Sequence, residues 1–217
     1  MQYTLNWRQE FGVDAIVRCL GGTEAGDDEL ATILQKENDT SKIYSRGYDA
    51  EGRALMYMRP AREQTNNEEN NMRHLVWNLE KALACTRAKS KAMSKEVTKI
   101  NLLIDYDGFR LRDSPPMSTA KLTLEILQKH YPECLFHAYV INPPMIFRAF
   151  WTMIKPFVDP VTKEKIVFCS GKAGMEKLSS AVERVDKLEA CAGGTGEVRD
   201  VDSKEYMHLP FATTFDE

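Results

Sequence analysis

Between Tyr131 and Ile166 lies the stretch that most limits how this chain folds. A strand-like run, Phe136 to Ile141, meets Asn142-Pro143-Pro144, and a helix-length segment follows that is too apolar for an ordinary surface helix. Ten of the fourteen residues from Met145 to Val158 are apolar. The polar residues with helical spacing, Arg148, Thr152 and Lys155, fall at i, i+4 and i+7 and form one narrow stripe. Such a helix either fills a core or faces something greasy that is not protein. It falls short of the about 20 apolar residues that a bilayer-spanning helix needs.

The 217 residues suit one domain, or one domain plus an arm. A net charge of −3 gives no general pull toward nucleic acid. The five cysteines, Cys19, Cys85, Cys134, Cys169 and Cys191, are widely spread and form no CxxC pair. That usage argues for reduced thiols in the cytoplasm and against a zinc site. No transmembrane or signal-peptide pattern is visible, so the expectation is a soluble chain that meets a membrane only at its surface.

The remaining elements alternate. Residues 3 to 20 read as the end of a helix, Gly21 to Asp28 as a break, and residues 29 to 36 as a short helix. Ile43 to Tyr48 and Ala54 to Met58 read as strands around the turn Asp49-Ala50-Glu51-Gly52. Residues 68 to 88 carry an amphipathic helix through Met72, Leu75, Val76, Leu79 and Leu83. Ile100 to Ile104 is a buried-type strand, Ser118 to Tyr131 a helix, Ile166 to Cys169 a strand and Met175 to Val185 a helix closed by Gly193-Gly194. Strands alternating with helices predict an α/β fold with a mostly parallel sheet.

Asp159-Pro160 is a good helix start, since Asp is a preferred N-cap and Pro is tolerated at the first helical position. Thr162 and Lys165 then fall on one face. Two readings stand: a capped helix with a solvated lysine, or an anion site built from backbone N–H groups, a hydroxyl and an ammonium. The basic run Arg87, Lys89, Lys91, Lys95 and Lys99 reads as a solvated helix end or as a contact for anionic membrane. The four histidines show no metal spacing, and no GxSxG or P-loop is present. Gly171-Lys172-Ala173-Gly174 reads as a turn, as does Asp105-Tyr106-Asp107-Gly108. No catalytic residue, metal or cofactor is assigned, and the chain is expected not to be an enzyme.

Several words in order resemble one family. They are Trp7-Arg8 before Phe11-Gly12, Asp49-x-x-Gly52-Arg53, Leu75-Val76-Trp77, Asp105-Tyr106-Asp107-Gly108, Tyr131-Pro132-Glu133, Ile141-Asn142-x-Pro144, and Lys155 to Thr162 with Lys165-Ile166. Over roughly residues 5 to 195 the chain resembles the CRAL-TRIO lipid-binding family, closest to the phosphatidylinositol transfer proteins of fungi and plants. The resemblance implies a sheet floor under a hydrophobic cavity, covered by a mobile gate helix. It also implies that residues 1–36 are the remnant of an N-terminal helical segment and 37–217 the lipid-binding domain, with the rest of that segment and its basic residues missing.

By the same resemblance Glu133, Thr162 and Lys165 contact the headgroup of phosphatidylinositol. Phe147, Phe150, Trp151, Ile154 and Phe157 are the apolar contacts of the gate, and Trp suits a membrane interface. The places that hold tyrosines and a serine in choline-lipid carriers fall on Met56, Leu79 and Ile100, which cannot bind a quaternary ammonium by cation–π attraction. These three are then cavity residues, and the choline set is lost. The implied protein is a cytoplasmic, monomeric carrier that touches membranes transiently, exchanges phosphatidylinositol and presents it to lipid kinases. Alternatives are a carrier of a tocopherol-, retinoid- or sterol-like molecule, and a lipid-sensing module that transfers nothing.

Overall fold

The computed structural model describes residues 2–19, 28–110, 116–181, 188–189, 192, 194 and 202–215. Its centre is a five-stranded sheet in the order β1 (Ile43–Tyr48), β2 (Ala54–Met58), β3 (Ile100–Asp105), β4 (Leu135–Ile141) and β5 (Ile166–Cys169). β1 and β2 pair antiparallel, and the other three pairings are parallel, as the alternation of elements predicts. The β1–β2 turn is built by Asp49, whose Oδ1 accepts from the N–H groups of Glu51 (3.0 Å) and Arg53 (2.8 Å). Gly52 closes it at φ 88, where a Cβ would also come 2.8 Å from Met93 Sδ.

Each parallel crossover carries a helix. α4 (Glu68–Ala92) joins β2 to β3, and Asn67 caps it by accepting from Asn70 N–H at 2.9 Å. It is longer than the 68–88 pattern and buried on nearly all sides. One side packs on β1, β2 and β3, and the other meets α2 (Val13–Arg18) and α3 (Asp28–Asn38). The expected helix over 3 to 20 divides into α1 (Gln2–Phe11) and α2 because Gly12 takes φ 77, which ends one helix and starts the next. α5 (Met117–Glu125) covers most of the 118–131 helix, but Ile126–His130 widens into a π-helical turn. α8 (Gly171–Ser179) starts where a turn was expected. Gly174 lies so close to β5 that a Cβ would meet Cys169 Cα at 2.8 Å, so it serves helix-on-strand packing, while Gly171 starts the helix at φ 65 with open space around it. α9 (Ser203–His208) has no counterpart in the sequence reading. The breaks read at 21–28 and at Gly193, and the helix beyond Ala181, lie outside the described residues except for Asp28.

The fold encloses charges as well as apolar side chains. Lys42 is 4% exposed, and its ammonium donates to Glu37, to Glu63 (2.7 Å), to Thr65 Oγ1 (3.1 Å) and to Asn71. Burial alone raises the Glu63 carboxyl, but the bond and charge of Lys42, with Thr65 and the Asn66 N–H, outweigh it and hold the pKa down at about 2. A carboxylate lowered by folding stabilises fully above its ordinary pKa and loses that contribution as pH falls toward the folded value. Urea unfolding midpoints are therefore expected to hold steady above about pH 5 and to drop between about pH 4.5 and 2. Glu63→Gln should remove part of that drop, and identical pH profiles for the two proteins would contradict the assignment.

Candidate functional site

On the face of the sheet that α4 covers, Met56, Leu102, Ala138 and Ile166 stand in lateral register. A cavity of about 190 Å³ opens there, at the end where β3 and β4 begin. Its apolar wall includes Leu79 of α4, Ile100 and Leu102 of β3, and Leu127 of the π-helical turn. Its polar mouth is Gln128, Glu133, Asp159, Thr162 and Lys165. Glu133, Thr162 and Lys165, 32 residues apart at their extremes, therefore meet at one opening, together with Leu79 and Ile100. Met56 is fully buried on the same face but does not line this cavity.

The mouth is held by identifiable bonds. Asp159 caps α7 (Pro160–Glu164) by accepting from Thr162 N–H at 2.9 Å, with Pro160 at the first helical position. The Thr162 hydroxyl and the backbone N–H groups hold the Asp159 carboxyl below its ordinary range. This corrects one expectation: the Thr162 N–H is already taken by a carboxylate, so an external anion meets side chains at this helix start rather than that amide. Glu133 sits in left-handed backbone, φ 59, at the end of the Tyr131-Pro132-Glu133 turn. Its Oε2 accepts from Lys99 Nζ (3.2 Å) and from Lys165 Nζ (3.4 Å). The hydrogen bond from Lys99 and the charge of Lys165 keep its carboxyl below the usual range.

The apolar segment forms α6 (Phe147–Ile154), and Lys155–Phe157 continues it as a 3-10 turn. Phe147 and Ile154 are buried. Phe147 packs edge-on to Tyr106 (4.6 Å) and to Phe168 of β5 (6.1 Å). Trp151 is half-buried, 5.7 Å from Phe168, and Phe150 lies 5.8 Å from Phe147. Phe157 is exposed under the ammonium of Lys121, 4.3 Å from the ring centre. Met145 and Met153 also face water. None of the five aromatic and aliphatic gate residues lines the 190 Å³ cavity. The helix thus seats one face on β5 and the Tyr106 turn and leaves the other uncovered.

The partners of two residues escaped the sequence reading: Gln128, which lines the cavity, and Lys99, which does not but bonds to Glu133. Gln128 donates through Nε2 to the carbonyl of Phe157 (3.1 Å) and accepts through Oε1 from Asp159 N–H (2.7 Å), clasping the chain where α6 hands over to α7. Lys99, read as part of a basic run that is a solvated helix end or a contact for anionic membrane, reaches Glu133 across 34 positions. Only the fold reveals either partner. The Asp105 turn is as expected: Asp105 Oδ1 accepts from Asp107 N–H (3.0 Å), and Gly108 takes φ 71. A second cavity, about 380 Å³ between α4, α5 and the β1–β2 edge, is lined by Lys42, Arg59, Glu63, Asn71 and Thr119 with Met58 and Met72. Lys42 donates there to both Glu63 and Asn71.

Residues 38–194 match the family pattern of the CRAL/TRIO domain. The chain is 36% identical over 192 residues to the CRAL-TRIO domain-containing protein C23B6.04c of Schizosaccharomyces pombe, covering 88% of this chain and 16% of that protein. It is 34% identical over 170 residues to the phosphatidylinositol transfer protein PDR17 of Saccharomyces cerevisiae, covering 76% of this chain and 45% of that one. To the phosphatidylinositol transfer protein CSR1 of Eremothecium gossypii it is 26% identical, covering 83% and 40%. The chain thus spans less than half the length of these three relatives. The crystal structure of Sfh5 superposes with a TM-score of 0.64 at 21% identity, over 97% of this chain and 68% of that one, which shows a shared fold.

Proposed function

The chain belongs to the CRAL/TRIO domain family, and from that premise we propose that it binds phosphatidylinositol and exchanges it at membrane surfaces. The observation that carries this reading is the convergence of Glu133, Thr162 and Lys165 on the mouth of one apolar-walled cavity. The names of PDR17 and CSR1 as phosphatidylinositol transfer proteins support it. The cavity is smaller than the about 300–1,000 Å³ of pockets that take drug-sized ligands. A two-chain lipid needs more room than this; α6, with one face uncovered, is the element that would lift to make it and meet the bilayer. No helix among the described residues is long and apolar enough to cross a membrane, so contact is at the surface.

Acyl chains gain about 0.8 kcal/mol per buried CH₂, but a bilayer offers nearly the same. Exchange is then close to balance, and headgroup contacts select the lipid. Leu79 and Ile100 line the cavity with aliphatic surface, and Met56 lies behind it. None attracts a choline. The protein acts as a carrier rather than a catalyst, and presentation of the lipid to kinases is the downstream role of such a carrier.

Lipid mass spectrometry after incubation with mixed vesicles tests the reading. Phosphatidylinositol is expected to load in preference to phosphatidylcholine, and Lys165→Ala to lose that loading while keeping its circular dichroism. Equal phosphatidylcholine loading, or none of either lipid by a folded protein, would reject it.

A further inference from the structure

Ile126–His130 is the one π-helical turn among the described residues. Tyr131 N–H closes it on the Ile126 carbonyl, five residues back, at 3.2 Å. Such turns are rare and occur mostly as single insertions at functional positions. Two side chains depend on it. Gln128 clasps the end of α6 through the Phe157 carbonyl and the Asp159 N–H. Tyr131, the first residue beyond, donates its hydroxyl to Glu80 of α4 at 2.8 Å. Tightening the turn to an α register would rotate one side of it against the other by about 100°. Gln128 and Tyr131 would then not both keep their partners.

The contacts that hold this turn come from α1. The His130 ring stacks on Trp7 (4.0 Å between centres, 7° between planes) and on Tyr3 (5.2 Å). Thr4 Oγ1 donates to the Lys129 carbonyl at 3.3 Å. Arg8 Nη1 donates to Glu80 Oε1 at 2.6 Å, the same oxygen that takes the Tyr131 hydroxyl. Tyr3, Thr4, Trp7 and Arg8 fall at i, i+1, i+4 and i+5, on one face of the helix. No residue of α1 is buried, so this helix contributes more to the turn than to the core.

We infer that α1 holds Ile126–His130 in its π register, and that Trp7 and Arg8 are positioning residues that act on the end of α6 through Gln128. While α1 is seated, Gln128 stays aimed at Asp159. When α1 lifts, the turn is free to tighten, Gln128 withdraws, and the connection from α6 to α7 is released. The consequence for lipid exchange rests on reading α6 as the gate; the hold of α1 on the turn does not.

Amide hydrogen exchange at Asp159 tests it, with Leu103 at the centre of β3 as the yardstick for the whole fold. Trp7→Ala is expected to speed exchange at Asp159 about two- to tenfold, the loss of one aromatic stack, and to leave Leu103 unchanged. Trp7→Phe, which keeps a ring on His130, should stay near wild type. In a Gln128→Leu background, Trp7→Ala should add nothing, because both act on one clasp. If Trp7→Ala does not fold, Thr4→Val removes one exposed bond and gives the same test. Unchanged exchange at Asp159, an equal rise at Leu103, or additive effects in the double variant overturn the inference. If Asp159 responds as expected but phosphatidylinositol transfer between vesicles does not quicken with it, the hold of α1 on the turn stands and the gate reading fails.

Discussion

Glu189→Ala is expected to destabilise the fold by about 3–5 kcal/mol, the range found when one partner of a buried ion cluster is removed. Glu189 is fully buried. Its carboxylate accepts from Arg46 Nη1 (3.0 Å), from Arg59 and from the Tyr44 hydroxyl (2.7 Å). One anion thus ties the 188–189 segment to β1 and to the residue after β2, and both guanidiniums lose a shared partner when it goes. Burial, followed by the charge of Glu189, pushes the Tyr44 hydroxyl well above its ordinary pKa, so it remains a donor across the usable pH range. For a chain of this size the melting temperature should fall by roughly 6–20 °C. Arg46→Met should cost less, because Arg59 still faces its anion and the stem volume is kept. Chemical denaturation of both variants decides it. A loss below about 1 kcal/mol for Glu189→Ala would mean that the cluster only balances its own desolvation.

The second large effect concerns the clasp at the end of α6. Gln128→Leu removes two bonds to the Phe157–Asp159 backbone. At about 0.5–1.5 kcal/mol each, their loss shifts the opening of this connection by about 5- to 150-fold. Amide hydrogen exchange at Asp159 should speed up by that factor. If α6 is the gate, lipid transfer between vesicle populations should quicken in step. Gln128→Glu is the sharper probe: its carboxylate still accepts from Asp159 N–H but has no proton for the Phe157 carbonyl at neutral pH. An intermediate exchange rate is expected for it. Unchanged protection in Gln128→Leu would show that Val158, which is buried, holds the connection without help.

What the sequence revealed was local, and what it hid was distant. β1, β2 and β5 run between the residues expected, because Asp49, Gly52 and the Lys165-Ile166 boundary signal turns in place. The Asp159 cap was readable from two adjacent residues. Glu133, Thr162 and Lys165 were placed by resemblance, and the fold brings them to one opening, although no bond to a lipid is part of that geometry. The break at Gly12 was hidden because a glycine inside a helical period is often tolerated. The start of α8 was hidden because two glycines suggest a turn, while here Gly171 opens the helix at a positive φ and Gly174 allows close approach to β5. The π-turn leaves no periodic mark, so Gln128 could not be aimed. The pairings of Lys99 with Glu133 and of Glu189 with β1 span 34 and 143 positions, beyond the reach of any local pattern.

β4 also acts as a ruler. It has seven residues, at about 3.3 Å each, which makes it roughly 23 Å long. Left-handed residues stop it at Asn142 (φ 51) and precede it at Glu133 (φ 59). The polar mouth lies at its first end, and α6 sets out from its last. The eight residues of α6 and the three-residue turn after it return over about 18 Å to the Gln128 clasp. The polar mouth and the start of α6 are therefore set one strand length apart, so a compact group at the mouth does not reach Phe147.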